Sequence, residues 1–107
     1  MTFINLSEIN PREMVPGYRA RFVHTENMTI AFWDVTAGSV LPEHKHPHEQ
    51  VSTVLEGKFE LTVAGEKRVC TPGIAVVISS NVLHSAVALT PCKIIDVFYP
   101  VRSEYRT

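Results

Sequence analysis

From residue 28 onward the chain is a succession of short β-branched and aromatic runs, each closed by glycine or proline. That punctuation excludes most folds, because no run is long enough for a three-turn helix and each suits a strand. MTIAFWDV (28–35) is apolar on both alternating faces, as a strand buried between two layers would be. VSTVLEGKFELTV (51–63) divides into two strands near Glu56-Gly57-Lys58, and LTVAGEKRV (61–69) folds back at Ala64-Gly65-Glu66-Lys67. After a turn at Thr71-Pro72-Gly73 come IAVVI (74–78), LHSAVAL (83–89) and KIIDVFYP (93–100), the last two parted by Thr90-Pro91. Only SEINPREM (7–14) has the makings of a helical turn. The pattern predicts an all-β sandwich or barrel, with residues 1–107 as one domain.

Composition narrows the partners. A formal charge of -1 without any Lys/Arg run argues against nucleic acid or an anionic membrane. No stretch reaches the ~20 apolar residues of a membrane span, and MTFINLSEINPREM lacks the basic start and apolar run of a signal peptide. Cys70 and Cys92 form no CxxC and are expected as reduced, apolar core thiols of a cytoplasmic protein.

The chain has five histidines, and LPEHKHPHEQ (41–50) holds three of them, at alternate positions. If residues 44 to 46 are extended, His44 and His46 point the same way, and paired imidazoles chelate transition metals readily. A third ligand must come from a distant strand, and His84 is the candidate. A polar loop of water-facing histidines is the plainer alternative, and the cluster alone does not decide between them. His24 carries no functional expectation. In CKIIDVFYPVR (92–102), Lys93 marks one strand face as exposed, which turns Ile94, Asp96 and Phe98 inward. An unpaired buried carboxylate costs several kcal/mol, so Asp96 is expected either to work or to pair with Arg102, Arg19 or Arg21. Ser52 and Ser85 read as barrel lining rather than nucleophiles.

The wider spacing carries a resemblance. Gly38, five residues, His44-x-His46, three residues, Gln50, six residues and Gly57 resemble the first signature of the cupin family. After fifteen further residues, Gly73, five residues, Ser79-x-Asn81, two residues and His84 resemble the second. The resemblance implies a double-stranded β-helix (jelly-roll) barrel, often a homodimer, holding one divalent metal ion on His44, His46, Gln50 and His84. Nickel, zinc, manganese, iron and cobalt all suit such ligands. Gln50 departs from the usual glutamate, and Ser79, Asn81 and Ala88 from proline, glycine and asparagine. An amide ligates without charge, so the ion keeps its whole double charge and should attract an anion. Glu49 could ligate instead if the strand bulges, against its parity. His48 shares the ligands' parity, and stays open between a contact at the site and plain exposure.

HPHEQ, the EG of VLEGKFELTVAGE, the segment at His84 and IDVFYPVRSEYR together look like the KdgF-type pectin-degradation cupins. Those proteins open 4,5-unsaturated uronate monosaccharides, left by pectin or alginate lyases, to linear keto sugar acids. The likeness implies a small anionic sugar as substrate, Asp96 as proton relay, Arg102 as carboxylate anchor and Phe98 as packing against the sugar. Tyr99 stands where serine is frequent. Two rivals remain: a mononuclear metal dioxygenase, which would consume oxygen, and a non-catalytic sugar-acid binder, which would not turn substrate over.

Overall fold

The computed structural model describes residues 2–106. Ten antiparallel strands form two sheets: β1 (Arg12–Val15), β2 (Tyr18–His24), β3 (Thr29–Val35), β4 (Val40–His44), β5 (Glu49–Glu56), β6 (Phe59–Val63), β7 (Glu66–Cys70), β8 (Ala75–Ile78), β9 (His84–Ala88) and β10 (Cys92–Tyr99). The larger sheet runs β1-β2-β3-β10-β5-β8 and the smaller β4-β9-β6-β7, which is the jelly-roll expected. Short 3-10 turns at Leu6–Glu8 and Ser103–Tyr105 are the helical elements of the described residues. No described helix is long and apolar enough to cross a membrane.

Local chemistry explains most boundaries. β6 and β7 turn through Ala64 (φ 50°) and Gly65 (φ 81°), the left-handed pair that a two-residue hairpin with right-handed twist requires. Gly57 (φ 91°) lets the chain pass from the larger sheet to the smaller, and a Cβ there would strike the Pro91 carbonyl. Two expectations are corrected here. SEINPREM gives its 3-10 turn at Leu6–Glu8, one residue earlier than expected at its start, but its second half is the strand β1, paired with β2. MTIAFWDV buries one face, and its other face is only half-covered.

Strand register divides the barrel lengthwise. Along β10, Cys92 and Ile94 are buried in the hydrophobic core, and Asp96 and Phe98 continue the same inward row. β5 passes from Gln50 and Ser52 to Val54, and β9 from His84 to Ala86 and Ala88, in the same sense. One end is therefore filled with Val54, Phe59, Leu61, Cys92 and Ile94, each buried large side chain contributing about 1.5–3 kcal/mol. The other end carries the polar side chains. Both cysteines are free and buried, as expected.

Candidate metal centre and active site

His44 closes β4 and pairs with His84, which opens β9, after a bulge between Leu41 and His44. β4 ends there, so His46 is not strand-paired beside His44; it sits buried in the connecting segment. That segment is tied down by the Asn81 N–H, which donates to the His46 carbonyl at 2.8 Å, and by the Ser80 hydroxyl, which donates to the Pro47 carbonyl at 2.6 Å. Asn81 has φ 62°, a left-handed conformation that asparagine tolerates, which accounts for its standing at a usual glycine position. The two motifs are thus stitched together through backbone. Convergence of His44 and His46 comes from this turn, not from the strand alternation expected.

The candidate ligand atoms of His44, His46 and His84 all lie within 4.8 Å of one another. Each ring has its Nδ1 on a backbone carbonyl: His44 on Pro42 at 2.8 Å, His46 on His48 at 3.0 Å, His84 on Val82 at 2.9 Å. A carbonyl only accepts, so each Nδ1 carries the proton and each Nε2 presents a lone pair. His84 Nε2 is buried with no partner. Burial, then the charge of Arg102, pushes the His46 imidazole down to about 4. Burial also lowers His84, so neither ring must lose a proton to bind a cation at neutral pH. Gln50 Oε1 stands 3.1 Å from His46 Nε2. With Nδ1 holding the proton, two lone pairs face each other there, at about the spacing of adjacent ligands on one ion with ~2.1 Å bonds. The donor set fits a divalent transition metal held by His44, His46, His84 and Gln50. Glu49 is exposed on β5 and outside this group, and His48 is half-buried with Nδ1 unpartnered.

A cavity of about 370 Å³ opens beside the histidines, within the range of small-molecule sites. Asp96 lies in its wall between small neighbours, Ala31 on β3 and Ser52 on β5. Its inward placement is as expected, but the ion pair is not there. Arg21 pairs with Asp34, Arg19 is exposed on the outer face, and Arg102 pairs with Glu104. Burial raises the Asp96 carboxyl to about 6, partly countered by Ser52, Gln50 and Trp33, which face it. Oδ1 nonetheless has no partner at hydrogen-bond geometry. Ser52 lines the cavity, whereas Ser85 falls on the opposite face of β9 from His84.

Arg102 and Phe98 also line the cavity. The guanidinium lies 4.9 Å from the Phe98 ring centre and 4.2 Å from that of Tyr105, and its Nε and Nη2 both donate to Glu104 Oε2, at 3.3 and 3.1 Å. Glu104, Tyr105 and Trp33 were not anticipated. The first two act through the C-terminal 3-10 turn, which short sequence patterns do not announce. Trp33 did have a signal: Asp34, the charged residue of β3, is exposed on the opposite face and turns Trp33 inward.

A two-sheet antiparallel barrel with three histidines converging at one end defines a class. Residues 31–98 match the cupin domain family, and the chain belongs to the cupins. Within that family it is a KdgF-type cupin. It is 36% identical over 70 residues to the pectin degradation protein KdgF of Dickeya dadantii (strain 3937), which is 64% of either chain. It is 26% identical over 103 residues to H2HPP isomerase of Bacillus subtilis, covering 94% of this chain and 43% of that one. The chain thus spans less than two thirds of either relative. The solved structure of KdgF from Halomonas sp. matches with a TM-score of 0.92 and 32% identity over 98% of both chains.

Proposed function

We propose that this cupin opens 4,5-unsaturated uronate monosaccharides, products of pectin or alginate lyases, to linear keto sugar acids. The observation that carries the reading is the buried Asp96 carboxyl, its Oδ1 unpartnered, which shares one cavity with His44, His84 and Arg102. A divalent ion on His44, His46, His84 and Gln50 would supply Lewis acidity toward substrate oxygens. Asp96 takes the proton of the anomeric hydroxyl; that O–H electron pair becomes the new C=O bond. The bond from the anomeric carbon to the ring oxygen breaks, leaving an enolate. Asp96 returns the proton to the neighbouring alkene carbon, giving the ketone. Nothing is oxidised. A carboxyl near pH 6 can both accept and return that proton, an effect worth ~10²–10⁴-fold. Arg102 binds the uronate carboxylate and Phe98 excludes water from the ring.

Supporting this reading are the likeness to two KdgF proteins, one of them a pectin degradation protein by name, and the uncharged Gln50, which leaves the centre attractive to an anion. The test is incubation with lyase-derived unsaturated uronate under anaerobic conditions. Loss of the conjugated enol absorbance faster than in buffer is expected, and Asp96→Asn should keep fold and metal but lose turnover. Unchanged activity in that variant, or a requirement for oxygen, would overturn the mechanism.

The same reading takes the chain as one cupin domain working as a homodimer in the cytoplasm, where the free thiols of Cys70 and Cys92 stay reduced. A row of aliphatic side chains, Val77, Val51, Val97, Ile30 and Val23, crosses the outer face of the larger sheet in register and supports a self-complementary contact. Val77 is 71% exposed. A Val51→Lys protein should be monomeric by light scattering; wild-type mass would discard that face.

A further inference from the structure

Trp33 is the chain's one tryptophan, and its indole N–H is buried without a hydrogen-bond partner. A buried tryptophan ordinarily finds an acceptor for that group. The ring is braced edge-on by Tyr18 at 6.1 Å and by Phe22 at 6.0 Å, so its direction is set by packing. In the β3–β10 ladder Trp33 faces Ile94 and Asp96 faces Ala31, which makes Trp33 and Asp96 diagonal neighbours on the inward face. The indole lies close enough to act on the Asp96 carboxyl, though without hydrogen-bond geometry. Apart from the candidate metal ligand His84, the other unpartnered atom in this wall is Asp96 Oδ1, and Trp33 and Asp96 line the same cavity.

We propose that the Trp33 N–H and the Asp96 carboxylate jointly hold one hydroxyl group of a sugar acid, Trp33 donating to its oxygen and Asp96 accepting its proton. The argument is one of donor and acceptor inventory. Indole can only donate and an ionised carboxylate can only accept. A ligand carbonyl or carboxylate would satisfy Trp33 but face Asp96 with a second acceptor. An ammonium would satisfy Asp96 but not Trp33. A hydroxyl satisfies both, so the pair selects for hydroxyl at this point of the ring. The assignment rests on the uronate reading above and adds to it the group that orients the reacting hydroxyl. As the O–H proton passes to Asp96, the indole keeps its own proton and its hydrogen bond to the oxygen.

Because the chain has a single indole, the contact can be watched directly. The zinc-loaded protein, labelled with ¹⁵N-tryptophan, is titrated with a saturated hexuronate, which cannot undergo the reaction, and with its 1-deoxy analogue. The expected result is one indole resonance that moves and exchanges more slowly with water on adding the hexuronate, and stays in place with the deoxy sugar bound to saturation. Trp33→Phe should retain metal and fold, lose kcat about tenfold or more, and bind the two sugars equally by calorimetry. An unmoved resonance at saturation, an equal shift with both sugars, or wild-type kcat and sugar discrimination in Trp33→Phe would overturn the proposal. The two readings fail separately. Turnover of unsaturated uronate with a still resonance removes the Trp33 contact alone. A hydroxyl-dependent shift in a protein without turnover keeps the contact and removes the reaction. A protein that binds no hexuronate removes both.

Discussion

His44, at the end of β4, is the register partner of His84, at the start of β9, and their rings lie 4.2 Å apart. The pair is therefore built by sheet pairing across some forty residues of sequence, and the turn holding His46 brings the third ring to 5.0 Å from His84. Replacing His46 and His84 together by alanine leaves a lone imidazole and an amide. Metal content, measured by mass spectrometry after dialysis, should fall from one ion per chain to trace levels. Stoichiometric metal in that variant would refute the ligand set.

Gln50→Glu restores a charged ligand at the centre. A unit of opposite charge this close should strengthen divalent binding by at least about 1.4 kcal/mol, a factor of ten. The same charge should weaken binding of uronate, raising KM while metal affinity improves. Movement of both constants in one direction would show that the neutral amide is not what attracts the anion.

Asp96 makes stability depend on pH in a stated sense. Its carboxyl titrates at about 6 when folded, against 3.8 for an ordinary aspartate, so the folded state holds the proton more tightly. The protonated group's advantage is complete below the unfolded value and disappears as pH rises through about 6. Ionised and buried, it costs on the order of 3 kcal/mol. In metal-free protein, Asp96→Asn should melt several degrees above wild type at pH 7.5, and the gap should close near pH 3.5. His46 and His84 titrate in both proteins and cancel from the difference. A less stable variant at pH 7.5 would mean that the carboxylate is paired after all.

Glu104 engages the Arg102 fork through one carboxylate oxygen. A substrate carboxylate must share that guanidinium or displace Glu104, which is half-exposed and therefore weakly held. Glu104→Gln should lower KM for uronate about two- to fivefold with little change in kcat. Arg102→Lys should raise KM at least tenfold, since an ammonium cannot reproduce the planar contact with Phe98 and Tyr105. Unaltered KM in both variants would remove Arg102 from carboxylate binding.

How much could be read from residues alone depended on whether a marker fixed the strand phase. Lys93 did so for β10, and the inward row through Ile94, Asp96 and Phe98 followed. The hairpin at Ala64-Gly65 was equally plain, because few sequences satisfy two left-handed residues. β3 carries the same kind of marker in Asp34, exposed and paired with Lys93, which turns Trp33 to the inner face. β1 was masked because Arg12–Val15 has no apolar alternation and owes its strand geometry to pairing with β2. The approach of Gln50 to His46 depends on a turn held by Asn81 and Ser80, contacts that spacing cannot convey.

The imidazole tautomers are dictated by peptide oxygens of residues 42, 48 and 82. Side-chain exchange at those positions cannot delete such an acceptor; only a detour of the main chain can. Protonation of the three rings is in this way inherited from the path of the polypeptide. Single-residue insertions or deletions between 42 and 48, or just ahead of 84, are the genetic lesions this protein should tolerate least, even where the inserted residue is innocuous.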